Sequence, residues 1–174
     1  VMLHGAGQSS RTWQTTPDGR EGFQTLFLRR GFATYLVDQP RRGSAGRSMV
    51  EGTVAPNPDE QLWFNQFRLG VWPDYFNGVQ FSQDQAVLNQ YFRQMTPNTG
   101  DFDQAVAAAA LGEVMKDVQT LTGHKSIFVT HSQGGAVGWN VPADNIAAIV
   151  AIEPGGTPAI GSEQYTKLLS AGIP

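Results

Sequence analysis

Apolar runs and helical periodicity alternate along this chain. Residues 1–3 form a short apolar run that passes directly into Gly5 and Gly7, and Thr34-Tyr35-Leu36-Val37 is a second run closed by Asp38-Gln39-Pro40. Between them, residues 22–30 carry Phe23, Leu26 and Phe27 at helical spacing, and Gly31 stops the pattern as a C-terminal cap. The second half repeats the alternation. Residues 103–120, with their alanine run, predict a long helix whose apolar face includes Val106, Ala110, Val114 and Val118. Residues 126–130 predict a strand, residues 134–139 the start of a helix, and Ile146–Ile152 a strongly apolar strand. Strands that alternate with helices and are apolar throughout predict an α/β class with a parallel sheet covered on both faces.

Residues 50–100 break this rhythm. Pro56, Pro58, Pro73 and Pro97 interrupt them, and nine of the chain's eighteen aromatics crowd between Trp63 and Phe92. Such clustering predicts either a small helical unit with its own aromatic core or a cap that lines a pocket with Trp63, Phe67, Trp72 or Phe76. The two readings are compatible. The resulting division is a core in residues 1–49, an insertion in 50–100, and a second core portion in 101–174.

Composition narrows the function classes. At 174 residues the chain is the size of one domain, or of one domain with an insertion. A net charge of -3 without basic runs removes the footprint that nucleic acid or an anionic membrane surface requires. No apolar run approaches the ~20 residues of a membrane-spanning helix. The absence of cysteine excludes a thiolate nucleophile and cysteine metal sites within these residues. Three scattered histidines suggest no ligand cluster, so no metal and no cofactor is expected. Opening inside a core strand and ending abruptly on Ala171-Gly172-Ile173-Pro174, the chain reads as a portion of a longer, cleaved or incompletely traced polypeptide.

The strongest chemical signal is Ile127-Phe128-Val129-Thr130-His131-Ser132-Gln133-Gly134-Gly135-Ala136. An apolar strand ends, a serine follows, and a helix begins among small residues, which is the arrangement of a nucleophile elbow. The turn is so tight that the serine backbone is strained and the positions two before and two after it must be small. Its hydroxyl is then pushed out above the sheet, near the positive end of the following helix. Gly134 meets the requirement; Thr130 meets it only if its methyl and hydroxyl can turn aside.

His4-Gly5-Ala6-Gly7 directly follows the opening strand. An oxyanion hole needs backbone N–H donors held free of the sheet ladder, and a glycine turn supplies them. The N–H groups of Ala6 and Gln133 would converge on a developing oxyanion, each contributing ~3 kcal/mol. His4 reads as a structural residue bracing that turn. A rival reading takes Gly5-Ala6-Gly7-Gln8-Ser9-Ser10 as a near match to a dinucleotide fingerprint, with Asp38 as the ribose acid. Pro17-Asp18-Gly19, where the required helix should continue, and the distance to Asp38 both count against it.

Ile149-Val150-Ala151-Ile152-Glu153-Pro154-Gly155-Gly156 ends a buried strand on a carboxylate fixed by a proline. Glu153 at that rim would accept an imidazole N–H and stabilise the imidazolium once a serine proton has moved; the plainer reading is a loop glutamate in solvent. Asp38 is the competing carboxylate, and is expected instead to hold the loop of residues 41–46. The base is missing. His4 belongs to the glycine turn, His131 precedes the serine and points to the other face, and His124 lies before the strand, at the opposite end. A serine without its base loses about six orders of magnitude in kcat, so these residues alone should be nearly inert.

Glycine turn, elbow serine and strand-end acid, in that order, resemble the α/β-hydrolase superfamily. The likeness covers the whole chain, read as about strands 3–6 of that fold with an inserted helical cap. Asp38-Gln39-Pro40-Arg41-Arg42-Gly43-Ser44-Ala45-Gly46 resembles the family's D-x-x-G-x-G loop, loosened by two residues. Thr15-Thr16-Pro17-Asp18-Gly19-Arg20, His131-Ser132-Gln133 and Val150-Ala151-Ile152-Glu153-Pro154-Gly155 are similar to a branch of microbial esterases whose acid is a glutamate after the sixth strand. The resemblance implies Ser132 as nucleophile, Glu153 as acid, Ala6 and Gln133 as oxyanion donors, and a histidine supplied by a C-terminal segment or second chain. It further implies a small-molecule ester substrate, apolar or aromatic to suit the cap, and a secreted or periplasmic location. Lactone, thioester and amide cleavage stay open, and a non-catalytic hydrolase-fold binding protein is the alternative.

Overall fold

The fold is described from a computed structural model, covering residues 1–45, 49, 51–52, 54 and 59–174. Gly46, Pro56 and Pro58 lie outside the described residues.

Four parallel strands form the central sheet in the order β2-β1-β5-β6: β1 (Met2–Leu3), β2 (Leu36–Val37), β5 (Ser126–His131) and β6 (Ile146–Ile152). Alternation along each strand divides the apolar side chains between two faces. Leu3 and Phe128 pack with Leu111, Met115, Val137 and Val141 under α4 (Gln104–Thr122) and α5 (Gln133–Gly138). Met2 and Val129 pack on the opposite face with Trp13 and Phe27, the latter from α1 (Phe23–Leu28). The sheet is therefore sandwiched, as the expected α/β-hydrolase fold with a parallel sheet covered on both faces requires. A last helix, α6 (Glu163–Ser170), follows β6.

Helix α4 starts where the Asp103 carboxylate accepts the Val106 N–H at 3.0 Å and ends on Gly123, whose φ of 75° suits glycine. Its buried stripe is Ala107, Ala108, Leu111, Gly112, Met115 and Val118. This corrects the sequence-based face: Val118 is buried and Val114 half-buried, but Val106 and Ala110 are exposed. The alanine run has almost no polar contrast, so packing sets the rotation. Gly112 fixes it, because a Cβ there would lie 3.0 Å from the Pro142 ring.

Residues 59–95 fold on their own core. Helix α2 (Glu60–Gln66), the antiparallel pair β3 (Gly70–Val71) and β4 (Asp74–Tyr75), and α3 (Gln85–Arg93) surround Phe64, Leu69 and Leu88. The unit is thus mixed, where sequence predicted helices alone. Trp72 packs into that core, Phe76 is exposed, and Trp63 stacks on Phe67 with ring centroids 5.3 Å apart.

Candidate active site

Parallel register brings four strand exits to one edge of the sheet. Leu3 pairs with Val37 on one side and Thr130 on the other, and His131 pairs with Ile152. His4, Asp38, Ser132 and Glu153 therefore leave the sheet side by side at its carboxyl edge, where open α/β sheets carry their sites.

Ser132 sits between β5 and α5 with φ of 50° and ψ of −119°, a region that costs a non-glycine residue ~1–3 kcal/mol. Its backbone is clamped there. The Ser132 N–H donates to Ile152 O at 3.2 Å, and its carbonyl accepts from Gly135 N at 2.9 Å and Gly155 N at 2.7 Å. A Cβ on Gly134 would lie 2.6 Å from His4 O, so the backbone of the first strand exit demands glycine two residues after the serine. Two residues before it, Thr130 is fully buried. Its methyl faces Gly138 and its hydroxyl Gly135, where Cβ atoms would lie 3.2 Å and 3.6 Å away. Those glycines make the room that the threonine needs, although its hydroxyl has no hydrogen-bond partner among the described residues.

The glycine turn is braced from two sides. His4 is fully buried; its Nδ1 donates to Gly5 O at 2.8 Å and its Nε2 accepts the Gln39 N–H at 3.1 Å, which assigns a neutral ring. Burial holds its pKa below the usual imidazole range, against the pull of the Gly5 bond and the Asp38 charge. The structural role expected of His4 is the observed one. On the other side, Gln8 Oε1 accepts the Gly5 N–H at 2.9 Å and lies 3.1 Å from His131 Nδ1. A Cβ on Gly5 would stand 2.9 Å from the Ser132 Cβ, so turn and serine are in close contact. With Gly5 N–H occupied, the N–H groups of Ala6 and Gln133 have no acceptor among the described residues. Both residues line one cavity of about 600 Å³, which Trp63, Phe92 and Met95 close from the aromatic unit. Thr96 N–H donates to Gly7 O at 2.7 Å and ties that unit to the turn.

Asp38 accepts from Ser10 N at 2.5 Å and Ser44 N at 2.7 Å, and so holds its own loop as expected. Burial pushes its carboxyl up, but the Ser10 and Ser44 bonds outweigh this and leave it below the ordinary range. The dinucleotide reading fails here: the glycine turn is followed by one 3-10 turn, Ser10–Trp13, and not by a helix.

Glu153 reaches the site edge but not an imidazole. It has φ of 44°, and its Oε2 accepts from Arg68 Nη2 at 2.8 Å with both side chains exposed. Pro154 packs against Gly135, which keeps the acid loop on the elbow. None of the three histidines hydrogen-bonds to Ser132 or Glu153: His131 is held by Gln8, and His124 lies at the opposite end of β5. No group of three or more potential metal ligands exists among the described residues. Among the same residues, no helix is long and apolar enough to cross a membrane.

Sequence reasoning gave no role in this site to Gln8 or Arg68. Gln8 stands one residue past the glycine turn, and that adjacency was the available signal. The Arg68–Glu153 pair spans 85 residues and has no local signature.

Comparison with known proteins agrees with this fold. A family model described as "Alpha/beta hydrolase family" matches residues 1–174. The chain is 27% identical to a probable secreted lipase, phiG, from a fungal species (strain ATCC 74256), over 95% of this chain and 47% of that protein. It superposes on a solved structure of a novel bacterial esterase with a TM-score of 0.76 and 26% identity, covering 99% of this chain and 57% of the esterase. The chain spans about half the length of these relatives.

Proposed function

This chain belongs to the alpha/beta hydrolase family, and on that premise we propose that it carries the nucleophile, acid and oxyanion donors of a serine-dependent carboxylic ester hydrolase. Residues 1–49 and 101–174 form the hydrolase core, and residues 50–100 the cap. Ser132 Oγ attacks the ester carbonyl and the Ala6 and Gln133 N–H groups receive the charge on its oxygen. An imidazole from outside residues 1–174 takes the serine proton and returns it to the leaving alkoxide as the C–O bond breaks. Water, deprotonated by the same imidazole, then cleaves the acyl-enzyme and regenerates the serine. Glu153 exchanges Arg68 for the imidazole N–H and holds that ring in its working tautomer. The cavity walls of Trp63, Phe92 and Met95 favour an apolar or aromatic ester.

The observation that carries this reading is the strained Ser132 backbone beside two unoccupied N–H donors on one cavity. The exposed Glu153–Arg68 pair favours the alternative, a hydrolase-fold protein that binds without catalysis. A fluorophosphonate separates them. Intact mass and peptide mapping of the complete polypeptide should show one adduct on Ser132; a folded protein that takes none is a binding protein.

A further inference from the structure

Arg42 is 2% exposed, yet it lines the cavity that holds Ala6 and Gln133. Its Nη1 is occupied, donating to Arg41 O at 2.8 Å and Gly100 O at 3.0 Å. Phe102, another wall residue, presents its ring centroid 6.0 Å from the guanidinium carbon. The Nε–H is sealed from solvent without an acceptor, and Nη2 has no acceptor among the described residues. All fifteen acidic residues of the chain are among the described ones, and none of them pairs with Arg42. A buried cation without a counter-charge is costly, typically several kcal/mol. Backbone anchoring alone would not require a charge there.

Asp59, Glu60 and Asp101 also line the cavity. Glu60 and Asp101 are exposed and Asp59 is half-buried, so solvent screens them at the mouth while Arg42 stands in the wall. Trp63, Phe92, Met95 and Phe102 give the cavity its apolar walls, and Thr96, Asn98 and Gln133 add neutral polar ones. With Nη1 fixed and Nε sealed, Nη2 is the guanidinium nitrogen left uncommitted among the described residues, and it can give a carboxylate a charge-assisted hydrogen bond.

We propose that Arg42 is an anion subsite of this cavity, and that the preferred substrates are half-esters: an apolar or aromatic body carrying the scissile ester at one end and a free carboxylate at the other. The proposal rests on the ester-hydrolase reading for the word substrate, but the subsite itself does not. Arg42 binds and orients; no bond is made or broken at it.

Two measurements on the complete polypeptide test it. The first is calorimetric titration with 3-phenylpropanoate and with 3-phenylpropanamide, which differ in charge and little in shape. The carboxylate should bind about tenfold tighter. The second compares kcat/KM for 4-nitrophenyl hydrogen glutarate and its methyl ester. The half-ester should lead by a similar factor. Arg42→Gln should bring that ratio to one and Arg42→Lys should keep part of it; being internal to each variant, the ratio survives partial loss of folded protein. Equal affinities and equal kcat/KM in the wild type overturn the subsite while leaving ester hydrolysis intact, as does a preference unchanged in Arg42→Gln. Carboxylate binding that needs Arg42, in a protein that cleaves neither ester, keeps the subsite and sinks the hydrolase reading.

Discussion

Gln8 and His131 meet through one oxygen: Gln8 Oε1 lies 3.1 Å from His131 Nδ1 while also accepting the Gly5 N–H at 2.9 Å. One side chain thus fastens the glycine turn to the residue before the serine. Gln8→Ala should leave the serine in place but free the turn, so that kcat falls about tenfold or more with a smaller change in KM. Steady-state kinetics on a soluble ester decide it, and an unchanged kcat removes Gln8 from the positioning of the turn.

Thr130 buries a hydroxyl with no partner among the described residues. Thr130→Val keeps the branched shape and removes that oxygen, so stability should rise by about 1 kcal/mol. A urea midpoint that moves downward would mean that the hydroxyl is satisfied in solution.

Gly134 has no space for a methyl, since a Cβ would meet His4 O at 2.6 Å and Leu3 O at 3.0 Å. Backbone cannot step aside as a side chain can. Gly134→Ala should cost at least about 2 kcal/mol in denaturant unfolding and lower fluorophosphonate labelling with it.

Glu153 and Arg68 pair in solvent, and such pairs contribute at most about 1 kcal/mol. Arg68→Ala should therefore shift unfolding by less than that. Glu153→Gln should instead reduce kcat by about four orders of magnitude, as loss of a triad carboxylate does. Equal effects of the two substitutions on kcat would remove Glu153 from the acid role.

Burial holds both His4 and His131 below the ordinary imidazole range, with Glu153 pulling His131 partly back. As pH falls through the unfolded-state value of about 6.5, the unfolded chain takes up protons that the folded chain refuses. Stability is thus fully present above that value and declines below it, by at most about 1.4 kcal/mol per pH unit for each histidine. Urea titrations at pH 7.5 and 5.5 measure the decline, and His131→Asn should flatten it in part.

The elbow was legible because three local signals coincide there: an apolar strand in residues 126–130, a serine, and Gly134-Gly135. Helix α4 was legible in extent and not in rotation, since alanines carry little contrast and the buried face is set by packing against the core and by the approach of Pro142 to Gly112. The pair β3–β4 is two residues per strand, too short for any alternation to show. Arg41 and Arg42 are adjacent and chemically identical in sequence. That one is sealed into a cavity wall while the other reaches Asp101 O from the surface is decided by the loop path.

The strand that runs into the glycine turn and the strand that runs into Ser132 pair as Met2↔Val129 and Leu3↔Thr130. More than a hundred residues must be looped out before that ladder closes, and such long-range parallel pairing is slow to form. Gly134 tightens the dependence, because its seat is the backbone of Leu3 and His4. A nascent or partly unfolded chain therefore holds a serine without an elbow and a glycine turn without a partner. Under the proposed function, reactivity toward esters requires this long-range pairing, so the serine is not activated before the two strands have met.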